Sequence, residues 1–216
     1  MKTRVVLLGA PGSGKGTHAE LLEEKLGLPT LSTGAQLRRE MAAGTALGKR
    51  AHELTKDGNF VPDEVVLALA GNWLREHRNG FVLDGFPRTV NQARGLDTML
   101  AELGMPLQAA IALEVAVETL EDRVVKRTIC TNCQHTEQHL PPAPGLPDAL
   151  PPCSRCGGRM ERRADDSLET LHKRLAEYDY KTKPLLPYYE AQGLLVRLNA
   201  DREIGAVFSD VQNALK

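Results

Sequence analysis

The chain is 216 residues long, which suits one sizeable domain with room for a smaller inserted one. With 42% hydrophobic and 25% charged residues and a formal net charge of −1, it has a globular composition and no overall electrostatic reason to seek nucleic acid or an anionic membrane. No apolar run approaches a membrane span, and the apolar start "VVLLGA" is too short for a signal-peptide core, so a cytoplasmic protein is expected; there, paired cysteines serve as metal ligands or redox groups more often than as disulfides.

In chain order, "RVVLL" (4–8) reads as a buried strand. The stretch "GAPGSGKGT" (9–17) follows it and opens a helical segment, fitting G-x-x-x-x-G-K-[ST] through Gly9, Gly14 and Lys15, with Gly16-Thr17 where the common form has one residue. Glycines there let backbone N–H groups converge on anionic oxygens, the helix start adds positive potential, and Lys15 supplies a point charge. His18, just beyond, is expected on the helix surface. "PDEVVLALAGNWL" (62–74) opens with proline and spaces Val65, Val66, Leu69 and Trp73 along one helix face. "FVLD" (81–84), "AAIALE" (109–114) and "LVRLN" (195–199) read as further buried strands. Asp84 ends the first of these, where α/β sheets hold ligands, although capping the following turn is an equal reading on pattern alone. "SLETLHKRLAEY" (167–178) puts Leu168, Leu171, Leu175 and Tyr178 on one stripe, with Asp166 and Glu169 spaced as a capping box. This alternation predicts an α/β fold with a doubly wound, mostly parallel sheet.

One region breaks the rhythm. Six of the thirteen prolines fall between 141 and 152, and from Arg123 to Arg163 seven Arg or Lys face three acidic residues. The stretch reads as an inserted subdomain with a basic face. Inside it Cys130, Cys133, Cys153 and Cys156 form C-x2-C-x19-C-x2-C, the spacing of a closed, structural four-thiolate zinc site. Disulfides and an iron–sulfur cluster are the rival readings, and a zinc ribbon that binds nucleic acid is the rival role. His135 and His139 are expected to be surface residues rather than ligands.

Together "GAPGSGKGT", "STGAQLR" (32–38), "FVLDGFPRT" (81–89) and "RRADD" (162–166) resemble the adenylate kinases, from about residue 4 to the end of the chain. The resemblance implies a five-stranded P-loop core over 1–31, 62–126 and 164–216, a helical AMP-binding insert over 32–61, and a zinc-bearing lid over 127–163 like that of bacterial members. The implied reaction is ATP + AMP = 2 ADP with magnesium, in a monomer that binds neither nucleic acid nor membrane. Kinases of other nucleoside monophosphates, or with GTP as donor, remain the alternatives.

It also implies roles by position. Ala10, Pro11, Gly12, Ser13, Gly14, Lys15, Gly16 and Thr17 would cradle the ATP phosphates, Arg123 would lie against the ATP base, and Thr136, Glu137 and Arg202 would complete that side. Arg38 and Arg88 would hold the AMP phosphate, Arg127 and Arg163 would reach ATP phosphates (with Arg163 also close to AMP), and Arg174 would bridge both substrates. Asp84 would orient magnesium through water. Thr33, Asn59, Phe60, Val61, Phe86 and Pro87 would line the AMP pocket, Gly85 would offer its carbonyl to adenine, and Gln92 would read the base edge. Asp165 and Asp166 would both cap their helix and meet the arginine cluster. Alanine stands at 35 where the family usually has aspartate, Glu137 replaces a usual aromatic, and "NADRE" (199–203) fits the ATP-base loop loosely. No general base is evident, and none is needed, because a monophosphate with a second pKa of about 6 is already ionised at neutral pH.

Overall fold

Successive residues of a strand point to opposite faces, and in the central sheet of this protein both faces are covered. Val5 and Leu7 face one core with Val82, Ile111 and Leu113, while Val6 and Leu8 face the other with Phe81, Leu83 and Ala112. That is why these strands read as unbroken apolar runs. A computed structural model describes residues 1–45, 48–49, 53, 62–163 and 166–216, and the backbone alone of Arg38 and Ala42.

The first half of the chain runs β1 (Arg4–Gly9), α1 (Lys15–Leu26), β2 (Thr30–Ser32), α2 (Thr33–Ala42), α3 (Asp63–Glu76), β3 (Phe81–Asp84) and α4 (Val90–Glu102). Then come β4 (Ala109–Glu114), α5 (Val117–Lys126), β5 (Arg127–Cys130), β6 (Thr136–Gln138), β7 (Met160–Arg162), α6 (Leu168–Glu177), α7 (Leu185–Ala191), β8 (Leu195–Asn199) and α8 (Ile204–Ala214). The main sheet has the order β2-β3-β1-β4-β8 with every pairing parallel. Leu7 pairs with Asp84 and Gly9 with Leu113, so the ends of β1, β3 and β4 come together at one edge. β1 lies centrally, with β2 and β3 on one side of it and β4 and β8 on the other, so the chain changes sides after β3. Sheets of this kind hold ligands at that reversal, beyond the carboxyl ends of the strands.

α3, α4 and α7 cover one face through Ala70, Leu74, Leu96, Leu100 and Tyr189. α1 and α8 cover the other through Ala19, Leu22, Val207, Phe208 and Val211. The expected fold class is therefore the observed one, with four differences in detail. β8 lies at the edge and is only partly buried, with Arg197 outside on Glu114. The helix expected to run through Tyr178 gives way there to a π turn over Tyr178–Thr182. In α6, Leu171 is buried against Leu120 and Val124, while Leu168 is 44% exposed and leaves the predicted stripe. The helix cap is Ser167, whose hydroxyl accepts from Thr170 N, so the capping role assigned to Asp166 passes one residue on.

β5, β6 and β7 form a separate antiparallel sheet in the order β6-β5-β7. Among the described residues no helix is long and apolar enough to cross a membrane.

Candidate active site

The loop between β1 and α1 turns tightly because glycine stands where a side chain has no room. A Cβ on Gly9 (φ 148°) would lie 2.5 Å from Ser13 Oγ and 2.8 Å from Leu113 O. Gly14, at φ 92°, is the N-cap from which α1 begins. Lys15 folds back over the loop, its Nζ donating to Gly9 O at 2.8 Å and Ala10 O at 2.9 Å. Loss of hydration lowers its pKa to about 8; Asp84 opposes the shift, and Arg88 and Arg127 add to it.

His18 is not on the surface. It is 3% exposed, stacked on Phe208 with centroids 6.3 Å apart, because the first turn of α1 faces α8. Burial, then the nearby Arg123 charge, push its pKa down to about 4, so the ring is neutral at pH 7.

A cleft of about 2100 Å³ opens at the edge where the strands end. The loop residues Pro11, Gly12, Ser13, Gly14, Lys15, Gly16 and Thr17 form one wall. Thr33, Gly85, Pro87, Arg88 and Gln92 line it from the β2 and β3 side. Arg123, Arg127, Thr136, Glu137, Arg163, Arg174 and Arg202 also reach it, with Asp84 among them. Two expected residues do not line it: Ala10 packs against the α5–α6 contact, and Phe86 is fully buried in the core beneath the sheet. Gly85, at φ 73°, turns the chain so that the Phe86 ring goes inward. Asn59, Phe60, Val61 and Asp165 lie outside the described residues, as does the side chain of Arg38.

The cleft cations are held by carboxylates and carbonyls. Asp166, its side chain 2% exposed, takes a two-pronged contact from Arg127, with Arg127 Nε donating to Oδ2 at 2.6 Å, and Arg163 Nε lies 4.0 Å from the same oxygen. Arg123 donates to Ala200 O at 2.9 Å, beside the 199–203 loop. Arg202 pairs with Asp210 and donates to Asn199 O, which holds it at the rim. Ser32 Oγ donates to Asp84 Oδ2 at 3.1 Å, and a Cβ on Gly16 would come within 3.8 Å of that oxygen, so the Asp84 carboxylate faces the phosphate loop. Burial lowers the pKa of Arg88, with Asp84 opposing the shift and Arg174 adding to it.

Several partners are new to the sequence reading. The Gly85 carbonyl accepts from Thr33 Oγ1 at 3.0 Å and Arg88 Nε at 2.8 Å. Thr182 in the π turn donates to Arg88 O at 3.0 Å. Gln92, 3% exposed, accepts from Arg88 N at 2.7 Å and donates to Asp63 Oδ1 at 2.6 Å. The sequence offered no sign of Asp63 beyond its place at a helix start.

Beside the second sheet the four cysteine Sγ atoms lie within 4.8 Å of one another, with Cys130–Cys156 at 3.5 Å and Cys133–Cys153 at 3.7 Å. A sulfur–sulfur bond needs about 2.05 Å, whereas the edge of a tetrahedron of thiolates on zinc is roughly 3.8 Å. All four are free cysteines, and the donor set fits a tetrahedral soft metal. Cys133 N–H donates to Cys130 Sγ at 3.5 Å and draws that thiol toward thiolate, its pKa falling to about 6. Gly158 packs so closely that a Cβ there would lie 3.0 Å from Cys130 Sγ. His135 and His139 stay out of the cluster: His135 Nδ1 lies 3.0 Å from Glu20 Oε2 on α1, and His139 Nδ1 lies 2.8 Å from Thr128 Oγ1. Glu137 Oε1 accepts from Ser154 N and Oγ at 2.9 and 3.0 Å, so its carboxylate ties the two cysteine knuckles together.

Comparison with known proteins agrees with this geometry. The family model described as adenylate kinase matches residues 7–194. The chain is 43% identical over 217 residues to an adenylate kinase of Desulforamulus reducens, covering 98% of this chain and 99% of that one. It is 42% identical to an adenylate kinase of Desulfitobacterium hafniense (99% and 98% covered) and 42% identical to one of Streptomyces avermitilis (99% and 97%). A phosphate loop, a cleft of clustered arginines and a match along nearly the whole chain converge on one assignment: this chain belongs to the adenylate kinase family.

Proposed function

We propose that the chain moves the terminal phosphoryl group of ATP to AMP and back, forming two ADP, by direct in-line transfer. The observation that carries this is a phosphate loop facing a second set of polar groups across one cleft of about 2100 Å³. A pocket for one small molecule is usually about 300–1,000 Å³, so the space suits two nucleotides. ATP and AMP together bring roughly six negative charges, which the arginine cluster complements.

In this reading Lys15 and the loop N–H groups hold the donor phosphates. Arg123 lies along the donor base, Arg88 and Arg38 hold the monophosphate, and Arg127, Arg163 and Arg174 gather around the group in transfer. An AMP phosphate oxygen attacks the terminal phosphorus, the bond to the ADP leaving oxygen breaks, and no proton needs to move. Catalysis is then positioning and charge stabilisation, with water kept out by the lid. The hard oxygens of Asp84, turned toward the phosphate loop, fit magnesium held through water. Bound there, the ion would screen phosphate charge. The four cysteines hold zinc as a structural clasp for residues 127–163.

The basic face of that region is largely taken up by internal pairs: Arg155 with Glu24, Arg162 with Asp148, Lys126 with Asp122 and Arg127 with Asp166. This supports a nucleotide cleft over a nucleic-acid surface and is consistent with a monomer working in the cytoplasm. The test is ADP formation by the full chain with magnesium and ATP, run against AMP, GMP, CMP and UMP, with GTP as a second donor. Turnover with AMP is expected. Turnover confined to another monophosphate, or salt-sensitive RNA binding with no turnover, would overturn the reading.

A further inference from the structure

We infer that Asp63 is a positioning residue that fixes which way round the Gln92 amide faces, and thereby makes the monophosphate pocket select an adenine edge over a hypoxanthine or guanine edge; the inference rests on the adenylate kinase reading above. Gln92 is 3% exposed, and its amide is gripped at both ends. Oε1 accepts from Arg88 N at 2.7 Å, and Nε2 donates to Asp63 Oδ1 at 2.6 Å. Asp63 is steadied in turn by Thr89 Oγ1, which donates to its Oδ2 at 3.2 Å, and Thr89 Oγ1 accepts from Gln92 N at 3.1 Å. The four residues close a ring that joins the start of α3 to the start of α4.

The ring permits one orientation. A backbone N–H only donates and a carboxylate only accepts, so turning the amide over would set donor against donor at Arg88 and acceptor against acceptor at Asp63. With both grips made, the amide keeps one N–H and one oxygen lone pair. Those are what adenine needs, since its N1 accepts and its N6 amine donates. Hypoxanthine and guanine present the reverse, an O6 acceptor beside an N1–H donor, and would meet the amide only if it turned over. A site built to hydrogen-bond one pattern rejects the other because its buried groups are left unpaired.

Asp63 is also the first residue of α3, where a negative charge suits the helix terminus, so a purely structural role has to be separated from the positioning one. The variant is Asp63→Asn, whose amide can offer either an acceptor or a donor and so makes that grip indifferent to direction. Steady-state turnover of the full chain is measured with saturating magnesium-ATP and with AMP or IMP as acceptor. The AMP-to-IMP ratio of kcat/KM is expected to fall about tenfold, the worth of one hydrogen bond to a charged group, chiefly through the acceptor KM and with the KM for ATP unchanged. Glu64→Gln removes an exposed charge from the same helix turn and is expected to leave the ratio as it is. If Asp63→Asn does not fold, Asp63→Ser, whose hydroxyl also donates or accepts, reads the same ratio. An unchanged ratio in a folded variant, with AMP and IMP losing activity together, overturns the inference, as does an equal shift in Glu64→Gln. A wild-type chain that fails to phosphorylate AMP at all would instead sink the kinase reading itself.

Discussion

Removing metal from the cysteine cluster should release one part of this protein and spare the rest. Within the region of the second sheet the buried cluster is Cys130, Cys153 and Met160, two of which are the proposed ligands themselves, so little apolar surface remains to hold it once the thiolates part. The size of the effect follows from the chain the clasp closes. Cys133 and Cys153 stand 20 residues apart, and a cross-link closing a loop of that length is worth about 3 kcal/mol. That is roughly a hundredfold in the ratio of closed to open forms. Amide hydrogen exchange on the full chain, before and after chelation, reads it directly. The N–H groups of Cys130, Thr131 and Cys153, bonded to His135, Arg159 and Gly158, are expected to exchange about a hundredfold faster without metal. Amides of β1, β3 and β4 are expected to keep their protection, because their burial does not depend on the clasp. Knuckle amides that do not respond, or central strands that loosen equally, would refute the reasoning, as would metal analysis that finds no zinc in reduced protein.

Two predictions concern protons. Lys15, with its pKa lowered to about 8, should lose charge as pH rises through that value, so the KM for ATP is expected to climb above about pH 8 in the wild type and stay flat in Lys15→Arg, whose guanidinium remains charged. A flat wild-type profile would exclude Lys15 as the phosphate partner. His18 has a folded-state pKa of about 4 against the ordinary 6.5, so the unfolded chain binds the extra proton between those values. The neutral ring's contribution is therefore whole above about pH 6.5 and is lost as pH falls toward about 4; thermal melts over that window are expected to show a steeper acid loss in the wild type than in His18→Gln, and parallel slopes would refute it.

Much of the fold could be read in advance because its signals are local. β1, β3 and β4 are apolar on both faces and appear as continuous runs, Pro62 marks the start of α3, and the glycines of 9–14 announce a turn that no side chain could follow. β2 escaped notice since three residues, Thr30–Ser32, carry no period. The errors have a common origin in contacts between distant parts of the chain. His18 reads as a surface residue until Phe208 comes over it, and Phe86 reads as a pocket residue until the core shared with α3 and α7 takes it in. Asp166 and Ser167 are both good caps by type, and the choice falls to Ser167 because Arg127 claims the carboxylate. Glu137, expected on the ATP side, lines the cleft, and its bond to Ser154 is a contact the local sequence did not announce. The local chain states which groups are present, and the fold decides which of them face each other.

That distinction bears on how so many cations can share one cleft. Lys15, Arg88, Arg123, Arg127, Arg163 and Arg174 all reach one half-buried space, and like charges gathered away from water repel strongly. Carboxylates offset that repulsion. Asp166 is shared by Arg127 and Arg163, and the charge of Asp84 acts against the loss of proton from both Lys15 and Arg88. These acids hold the cations in place, so few side chains need ordering when an anionic ligand enters. Lysines and arginines outnumber aspartates and glutamates along the cleft, and a positive surplus is what phosphoryl transfer from an ionised monophosphate calls for.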